Sequence, residues 1–330
     1  MPKPTVLPRS SIALRRFSKI TCFLTLILIF LGGLVKSTES GLAVPDWPLS
    51  YGTFFPPMVG GVLYEHGHRM AASLVGLFML LLSVWLAVSE KRRWVKGLGF
   101  CALGAVIAQG ILGGLTVLLF LPAPISVAHG TLAQTFFLMT VMIAYALSIE
   151  RARREYITVD RVFLKSCVVF LIFVYIQLIL GAVMRHLEAG LAAGDFPTMA
   201  GKLIPTFDEG MLRRINAWRF SVDLDAVTMG QVLAHFMHRL WACVLTITII
   251  FINYRGLKYV RLPSVRQALL WLDIAFVFQI MLGILTILTM KEVILTTLHV
   301  ANGAAVLGLT MFLILRSAPL GWQDFRKALS

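Results

Sequence analysis

Eight stretches of the chain run almost unbroken through apolar side chains, near residues 20–36, 67–89, 97–121, 126–148, 162–184, 231–253, 265–289 and 293–315. A helix needs about 20 predominantly apolar residues to cross a bilayer, so each run predicts a membrane-spanning helix. The first is the shortest and follows Arg15, Arg16 and Lys19, which is also how a signal peptide begins. No convincing small-residue cleavage site follows it and seven more spans do, so it reads as a retained helix.

Polar positions gather between the runs, and the basic ones favour alternate connections. One set holds Lys3, Arg9, Arg15, Arg16 and Lys19, then Lys91, Arg92, Arg93 and Lys96, then Arg151, Arg153, Arg154, Arg161 and Lys165, then Arg255, Lys258, Arg261 and Arg266, and finally Arg316, Arg326 and Lys327. Cytoplasmic connections carry the excess of Lys and Arg, so both termini are expected on the cytoplasmic side, or the matrix side in a mitochondrion. The long outer connection near 185–230 is the exception, with Arg213, Arg214 and Arg219 diluted by six acidic residues.

Composition agrees with the pattern: 58% of residues are hydrophobic and 14% charged, with a mean hydropathy of +0.84, more apolar surface than a soluble core absorbs. A net charge of +14 suggests nucleic acid when clustered. Here it is spread over juxtamembrane loops, so anionic lipid headgroups are the simpler partner and no nucleic acid is expected. Cys22, Cys101, Cys167 and Cys243 sit singly in four different runs, without the spacing of a disulfide framework or zinc site, and read as small packing residues.

The chain repeats itself. Gly32, Lys36, Glu39, Gly41-Leu42-Ala43 and Asp46-Trp47-Pro48 return in register as Gly181, Arg185, Glu188, Gly190-Leu191-Ala192 and Asp195-Phe196-Pro197. His68-Arg69, Gln109-x-x-Leu112-Gly113-x-Leu115-Thr116 and His129 then return, at one constant offset, as His238-Arg239, Gln279-x-x-Leu282-Gly283-x-Leu285-Thr286 and His299. Small residues recur wherever helices pack closely, which accounts for the glycines. It does not account for histidine and arginine recurring together in a medium where each is costly. Four spans per copy is an even number, so the copies enter the membrane in one orientation, as a parallel repeat about an axis along the membrane normal.

Of the seven histidines, His68, His129, His238 and His299 obey the repeat. Each lies near the outward end of the second or fourth helix of its half, and two histidines on facing helices supply both axial ligands of a heme in an apolar slot. A single such histidine is more often a hydrogen-bonded packing residue, and zinc or copper calls for further ligands close by, for which Glu65 and His235 are the candidates. The paired, symmetric placement favours heme over these and over a proton relay. His66 and His186 read as interfacial residues without a role.

The halves differ one turn before the first ligand, where Glu65 stands on the face of His68 and His235 on that of His238. A carboxylate beside one heme only marks the first half as the candidate for chemistry, with Glu65 accepting a proton or positioning water; an exposed loop glutamate just outside the membrane is the plainer alternative. Arg69 and Arg239 pair with heme propionates or snorkel to lipid phosphate. The first outer connection, Glu39 to Gly52, is rich in turn formers and aromatic residues and reads as a cap over an outward-facing site, with Trp47 an alternative interfacial anchor. From the residues alone, a catalytic oxidase, a di-heme b-type cytochrome in quinone-linked electron transfer and a heme-handling transporter all stay open.

With Glu39-Ser-Gly-Leu-Ala-Val-Pro-Asp-Trp-Pro48, Glu65-x-x-His68-Arg69, His129, His238-Arg239 and His299 assembled, nearly the whole chain resembles the heme A synthase family. The resemblance implies an all-α integral membrane protein of the bacterial cell membrane, with eight transmembrane helices in two pseudosymmetric four-helix bundles, 1–155 and 156–330. It implies heme O as substrate at Glu65, His68 and His129, heme b held by His238 and His299, and successive hydroxylation of the C8 methyl of heme O to a formyl group, giving heme A for terminal oxidases. Heme O synthase, cytochrome oxidase assembly and a homo-oligomer are the partners it suggests. Many bacterial members carry a cysteine pair in the first outer loop where this chain has Val44 and Ser50, which puts thiol chemistry there in doubt.

Overall fold

The computed structural model of the protein describes residues 11–153 and 160–318. Lys3, Arg9, Arg154, Arg326 and Lys327 of the expected inner set, and the expected boundary at 155, fall outside them. The described chain is nearly all helical: α1 (Ile12–Ser37), α2 (Gly61–Ser89), α3 (Arg93–Leu118), α4 (Ala123–Ala146), a short α5 (Ile149–Arg153), α6 (Arg161–His186), α7 (Glu209–Ser221), α8 (Met229–Tyr259), α9 (Pro263–Leu288) and α10 (Val293–Ser317), with a one-turn 3-10 helix at Ala189–Leu191. All except α5 and α7 are long and apolar enough to cross a membrane, which makes the chain an integral membrane protein.

All the long helices except α10 start before the apolar stretches that announce them. α1 starts at Ile12, where Ser11 accepts a hydrogen bond from the Leu14 N–H at 3.2 Å, and its basic first turns are helical without being apolar. α2 starts at Gly61, so Glu65 and His66 lie inside a helix rather than in a loop. α8 starts with a capping box between Thr228 and Gln231, which satisfies two of the N–H groups a helix start leaves unpaired.

Two apolar cores fill the interior. One joins Leu14 of α1, Met79 and Leu82 of α2, Ala102 of α3 and Phe136 and Ile143 of α4; the other joins Phe163 and Phe170 of α6, Ile252 of α8, Leu272 of α9 and Leu307 of α10. A third cluster, Ile29, Phe137 and Ala304, lies between them and links α1, α4 and α10. Arg185 of α6 crosses the same boundary to donate to the Gly33 carbonyl of α1 at 2.9 Å. α2 and α3 flank the first core and α8 and α9 the second. At the helix ends far from the four repeat histidines Arg255 pairs with Asp160 at 2.7 Å and Arg316 with Glu150 at 2.6 Å.

The connections α1–α2 and α6–α8, expected on the outer side, begin alike. Asp46 accepts from the Tyr51 and Gly52 N–H groups at 2.7 and 2.8 Å, and Asp195 from those of Ala200 and Gly201 at 3.0 and 2.9 Å. Gly52 and Gly201 take φ of +71° and +79°, a conformation open to glycine, and an isolated bridge closes each turn, Ser50 with Thr53 and Met199 with Lys202. All of these pairs stand 149 residues apart, whereas His68 and His238 stand 170 apart. The difference of 21 is an insertion that contains α7, which packs Met211 and Ile215 with Val227 and Val232 into a cluster of its own.

Candidate functional site

Each of the four repeat histidines meets a glycine on a neighbouring helix. A Cβ on Gly32 of α1 would lie 3.1 Å from the His68 ring, on Gly113 of α3 3.2 Å from His129, on Gly181 of α6 3.1 Å from His238, and on Gly283 of α9 3.1 Å from His299. The missing Cβ is what lets the imidazoles lie against those helices. Four residues earlier on three of the same helices stands a glutamine that reaches the histidine. The Nε2 of Gln109 is 3.2 Å from His129 Nε2 and donates to the His129 carbonyl at 3.0 Å. Gln177 does the same for His238 at 3.3 and 3.1 Å, and Gln279 lies 3.3 Å from His299 Nδ1 and 3.4 Å from its Nε2 and donates to the His299 carbonyl at 3.0 Å. Opposite His68 that position is Leu28. The sequence contained this signal, a glutamine one turn before three of the four glycines, but gave no reason to attach it to the histidines.

His238 and His299 face each other with ring centres 6.5 Å apart and planes inclined by 70°. With an iron–imidazole bond of about 2 Å, as in other metal–imidazole sites, and the ring centre roughly 1 Å behind the bonded nitrogen, two imidazoles on opposite faces of one iron have centres roughly 6 Å apart. The pair therefore fits a porphyrin iron. His68 and His129 are close enough to interact electrostatically. Nδ1 of His68, His129 and His238 is buried without a hydrogen-bond partner, as are Nδ1 of His235 and Nε2 of His66, so it is the pairing of the rings and not the unpartnered nitrogen that sets the four apart. Among the described residues no group of three or more His, Cys, Asp or Glu side chains is placed to hold a metal ion, so neither pair has the further protein ligands zinc would want.

Outside the histidines the two arginines do equivalent work. Arg69 donates to the carbonyls of Val44 at 3.1 Å and Leu49 at 3.0 Å, and to that of Asp46 at 2.7 Å. Arg239 donates to the corresponding carbonyls of Ala193 at 3.4 Å and Thr198 at 2.9 Å. Both guanidinium groups thus fasten an outer connection to the helix that carries a histidine. Each also meets the residue four positions earlier: Arg69 pairs with Glu65 at 2.5 Å, and Arg239 donates to His235 Nε2 at 2.8 Å. The sequence contrast between Glu65 and His235 is therefore a contrast within one shared cradle, an anion in one copy and an imidazole in the other.

Glu65 is 4% exposed, not the loop glutamate at the membrane surface that stood as an alternative. Its second oxygen accepts from the Val44 N–H at 2.7 Å. His66, expected at the interface, is buried at 7% exposure with Nδ1 2.8 Å from the Ser50 hydroxyl, and Ser50 also lies 3.5 Å from Arg69. The cause of both differences is the folding of 38–60 back over the start of α2. Val44 and Ser50 of the first connection thus touch Glu65, His66 and Arg69. Trp47 lies flat on α3, since a Cβ on Gly114 would approach its indole to 2.7 Å; the position equivalent to Gly114 is Ile284, and Phe196 instead lies 5.8 Å from the Arg239 guanidinium. His186 ends α6 and is half-buried.

Outside the membrane the two turn carboxylates are held in their charged form. The Gly52 N–H, against the opposing effect of burial, and then the Tyr51 N–H hold Asp46 below the usual range. Burial pushes Asp195 up, and the Gly201 N–H, the Thr198 hydroxyl and the Ala200 N–H together pull it further down.

Comparison with known proteins agrees with this arrangement. The model of the cytochrome oxidase assembly protein family matches residues 15–60 and 59–311. A heme A synthase of Symbiobacterium thermophilum is 26% identical over 317 residues, covering 94% of this chain and 97% of the relative. One of Alkalihalophilus pseudofirmus is 30% identical over 72% of this chain and 75% of its own length, and one of Erythrobacter litoralis 27% identical over 88% and 93%. With a match that runs through all eight long helices and all four paired histidines, the chain belongs to the cytochrome oxidase assembly protein family.

Proposed function

We propose that the protein is a heme A synthase that oxidises the C8 methyl group of heme O to a formyl group, with heme O bound between His68 and His129 and heme b held by His238 and His299. The reading takes residues 1–155 and 156–330 as two halves related by an axis along the membrane normal, with both termini on the cytoplasmic side of a bacterial cell membrane. The observation that carries it is the shared arginine cradle with its one carboxylate: Arg69 meets Glu65 where Arg239 meets His235. Two sites built alike and differing in one proton-accepting group have different tasks, and removing hydrogens from a methyl carbon calls for a base beside one of them.

In this scheme heme b, when bound, supplies one-electron chemistry. His238 and His299 fix it through glycine-backed rings. His68 and His129 orient the substrate, with Leu28 leaving the His68 side free of a competing amide. Glu65 takes up a proton as the methyl carbon is oxidised, and Arg69 holds the side chain in place through their ion pair. Arg69, whose terminal donors carry the first connection, acts toward any propionate through its Nε–H, whereas Arg239, whose Nε is taken by His235, offers a propionate only the second hydrogens of its terminal nitrogens. Residues 38–60 exclude water above the first site. Heme O synthase, which supplies the substrate, and the oxidase assembly steps that consume heme A are the partners that follow from this reaction, and a homo-oligomer is compatible with it.

The test is heme extraction from cells that express the protein beside a source of heme O, followed by chromatography. Heme A that depends on the protein, with heme b on the purified chain, is the expected result. Heme b alone, with heme O unconverted, would overturn the proposal in favour of an electron-transfer cytochrome.

A further inference from the structure

We propose that Arg185 and Thr296 form the seat of a heme b propionate, one helical turn beyond the His238–His299 pair. The inference rests on the assignment of heme b to that pair and deepens it by naming the groups that receive the cofactor's carboxylate.

Both groups stand on the side of the pair that faces its covering connection. On α6, Gly181 backs the His238 ring, and Arg185 follows four residues later, on the same face and about 6 Å farther along the helix. On α10, Thr296 precedes His299 by three residues and shares its face in the same way. Arg185 also lies close enough to His299 to act on it electrostatically, so it is near both rings. Its guanidinium is only partly used. Nη2 donates to the Gly33 carbonyl at 2.9 Å and lies 3.3 Å from the Ser37 hydroxyl, while Nε and Nη1 meet no acceptor among the described residues. The Thr296 hydroxyl is buried without a hydrogen-bond partner.

A cation on a membrane-spanning helix is costly unless an anion meets it. Among the described residues no carboxylate pairs with Arg185, on which Glu39 acts only from a distance. Its counterpart Lys36 has two, Glu39 at 2.7 Å and Glu188 at 3.7 Å, so the second half's own glutamate has gone to the first half's cation. A propionate supplies the missing charge. Heme carries its propionates on one edge of the ring, that edge turns toward the aqueous side, and free guanidinium hydrogens make strong, charge-assisted bonds to a carboxylate. Arg239 has less to offer, since its Nε is taken by His235. The first half repeats the design: Lys36 stands one turn beyond Gly32, and Ser126, three residues before His129, has a buried hydroxyl that is likewise without a partner. Heme O bears the same propionates as heme b, so a seat of this kind belongs in both halves. The one whose cation is already shared by two carboxylates is in the half whose guest must leave.

The test uses heme b and its dimethyl ester, in which the propionates carry no charge. Full-length holoprotein carrying His68→Ala, which removes a ligand of the other site, is exchanged in detergent against an equal mixture of the two. The retained porphyrins are then extracted and separated, and the low-spin band is recorded. Arg185→Gln is expected to lower the preference for the free acid about 10- to 100-fold, the range of a hydrogen bond to a charged group, and Thr296→Val to lower it severalfold, both with the band intact. Whatever preference arises from the detergent itself is common to all three proteins and cancels. An unchanged preference in Arg185→Gln overturns the inference, and should that variant fail to fold, an unchanged preference in Thr296→Val overturns it. Absence of a low-spin band from the parent protein sinks the heme b assignment itself.

Discussion

Glu65 and Arg69 form a buried ion pair at 2.5 Å, 5% and 15% exposed in their side chains, and the same guanidinium carries three carbonyls of the outer connection above it. The pair couples a candidate proton acceptor to the cover of its own site, so its two members should fail in different ways.

Glu65→Gln keeps an acceptor for the Val44 N–H and for Arg69 but removes the base. Conversion of heme O should fall by about 10²- to 10⁴-fold, the usual range for a lost general base, while heme b stays bound. Chromatography of extracted hemes beside the visible spectrum of the purified variant checks both halves of this expectation, and a normal rate of heme A formation would exclude the role.

Arg69→Gln leaves the Glu65 charge buried and unpaired. Removing one member of a buried pair costs about 3–5 kcal/mol, so the variant should unfold in detergent at a clearly lower temperature than Glu65→Gln does. Equal melting temperatures for the two would show that the guanidinium contributes nothing through the pair.

Losing either His238 or His299 should abolish a low-spin heme b spectrum, whereas His68→Ala should leave most of it. Retention of that spectrum in His238→Ala would reverse the assignment of cofactor and substrate halves.

Gly283→Ala puts a methyl group 3.1 Å from the His299 ring. Overpacking costs about 1–3 kcal/mol against about 1 kcal/mol gained from replacing glycine in a helix. The ring has to give by a few tenths of an ångström, and the purified variant should carry less heme b. Gly104→Ala, with nothing within 4 Å of its new methyl, is the control and should hold as much heme b as the wild type.

Asp46 is held below its ordinary range by the Gly52 N–H and, beside the opposing effect of burial, by the Tyr51 N–H. Its folded state therefore prefers the carboxylate, and the stabilisation is complete above the unfolded value near 3.9 and fades as pH falls through the lower folded value. Acidification below about pH 4 should loosen the first outer turn, read as a change in Trp47 emission that Asp46→Ala displays already at neutral pH. Emission independent of both acid and mutation would separate Asp46 from the seating of Trp47.

The spans were legible because a bilayer forces the backbone of each crossing into a helix whatever its neighbours are, and the four histidines because duplication printed them twice. Glu65 against His235 was legible for the same reason. The burial of Glu65 and His66 was not, since local hydropathy carries no trace of a loop that returns over its own helix. The partners of Arg69 and Arg239 are backbone carbonyls, which have no residue type to read. α7 is short and its mean polarity hides an apolar face that finds its partners, Val227 and Val232, farther along the chain. Gln109, Gln177 and Gln279 were visible as letters, and their bond to histidine needed the helices to be placed side by side.

The 21-residue insertion leaves the two outer covers unequal. Above α8 the cover has an apolar cluster of its own and a buried Arg219 that grips the Leu191 carbonyl at 2.5 Å; above α2 it is a loop fastened by the polar contacts of Arg69, Glu65, His66 and Asp46 and by the Trp47 indole. Segments with few buried apolar contacts open far more readily than those with a core. On the proposed assignment, heme b leaves only when a miniature folded unit comes apart, whereas heme O and heme A pass whenever Arg69 lets go of three carbonyls. The lifetime of each bound porphyrin is then a property of the connection above it, and duplicated ligands serve a resident and a transient guest without any change in the histidines themselves.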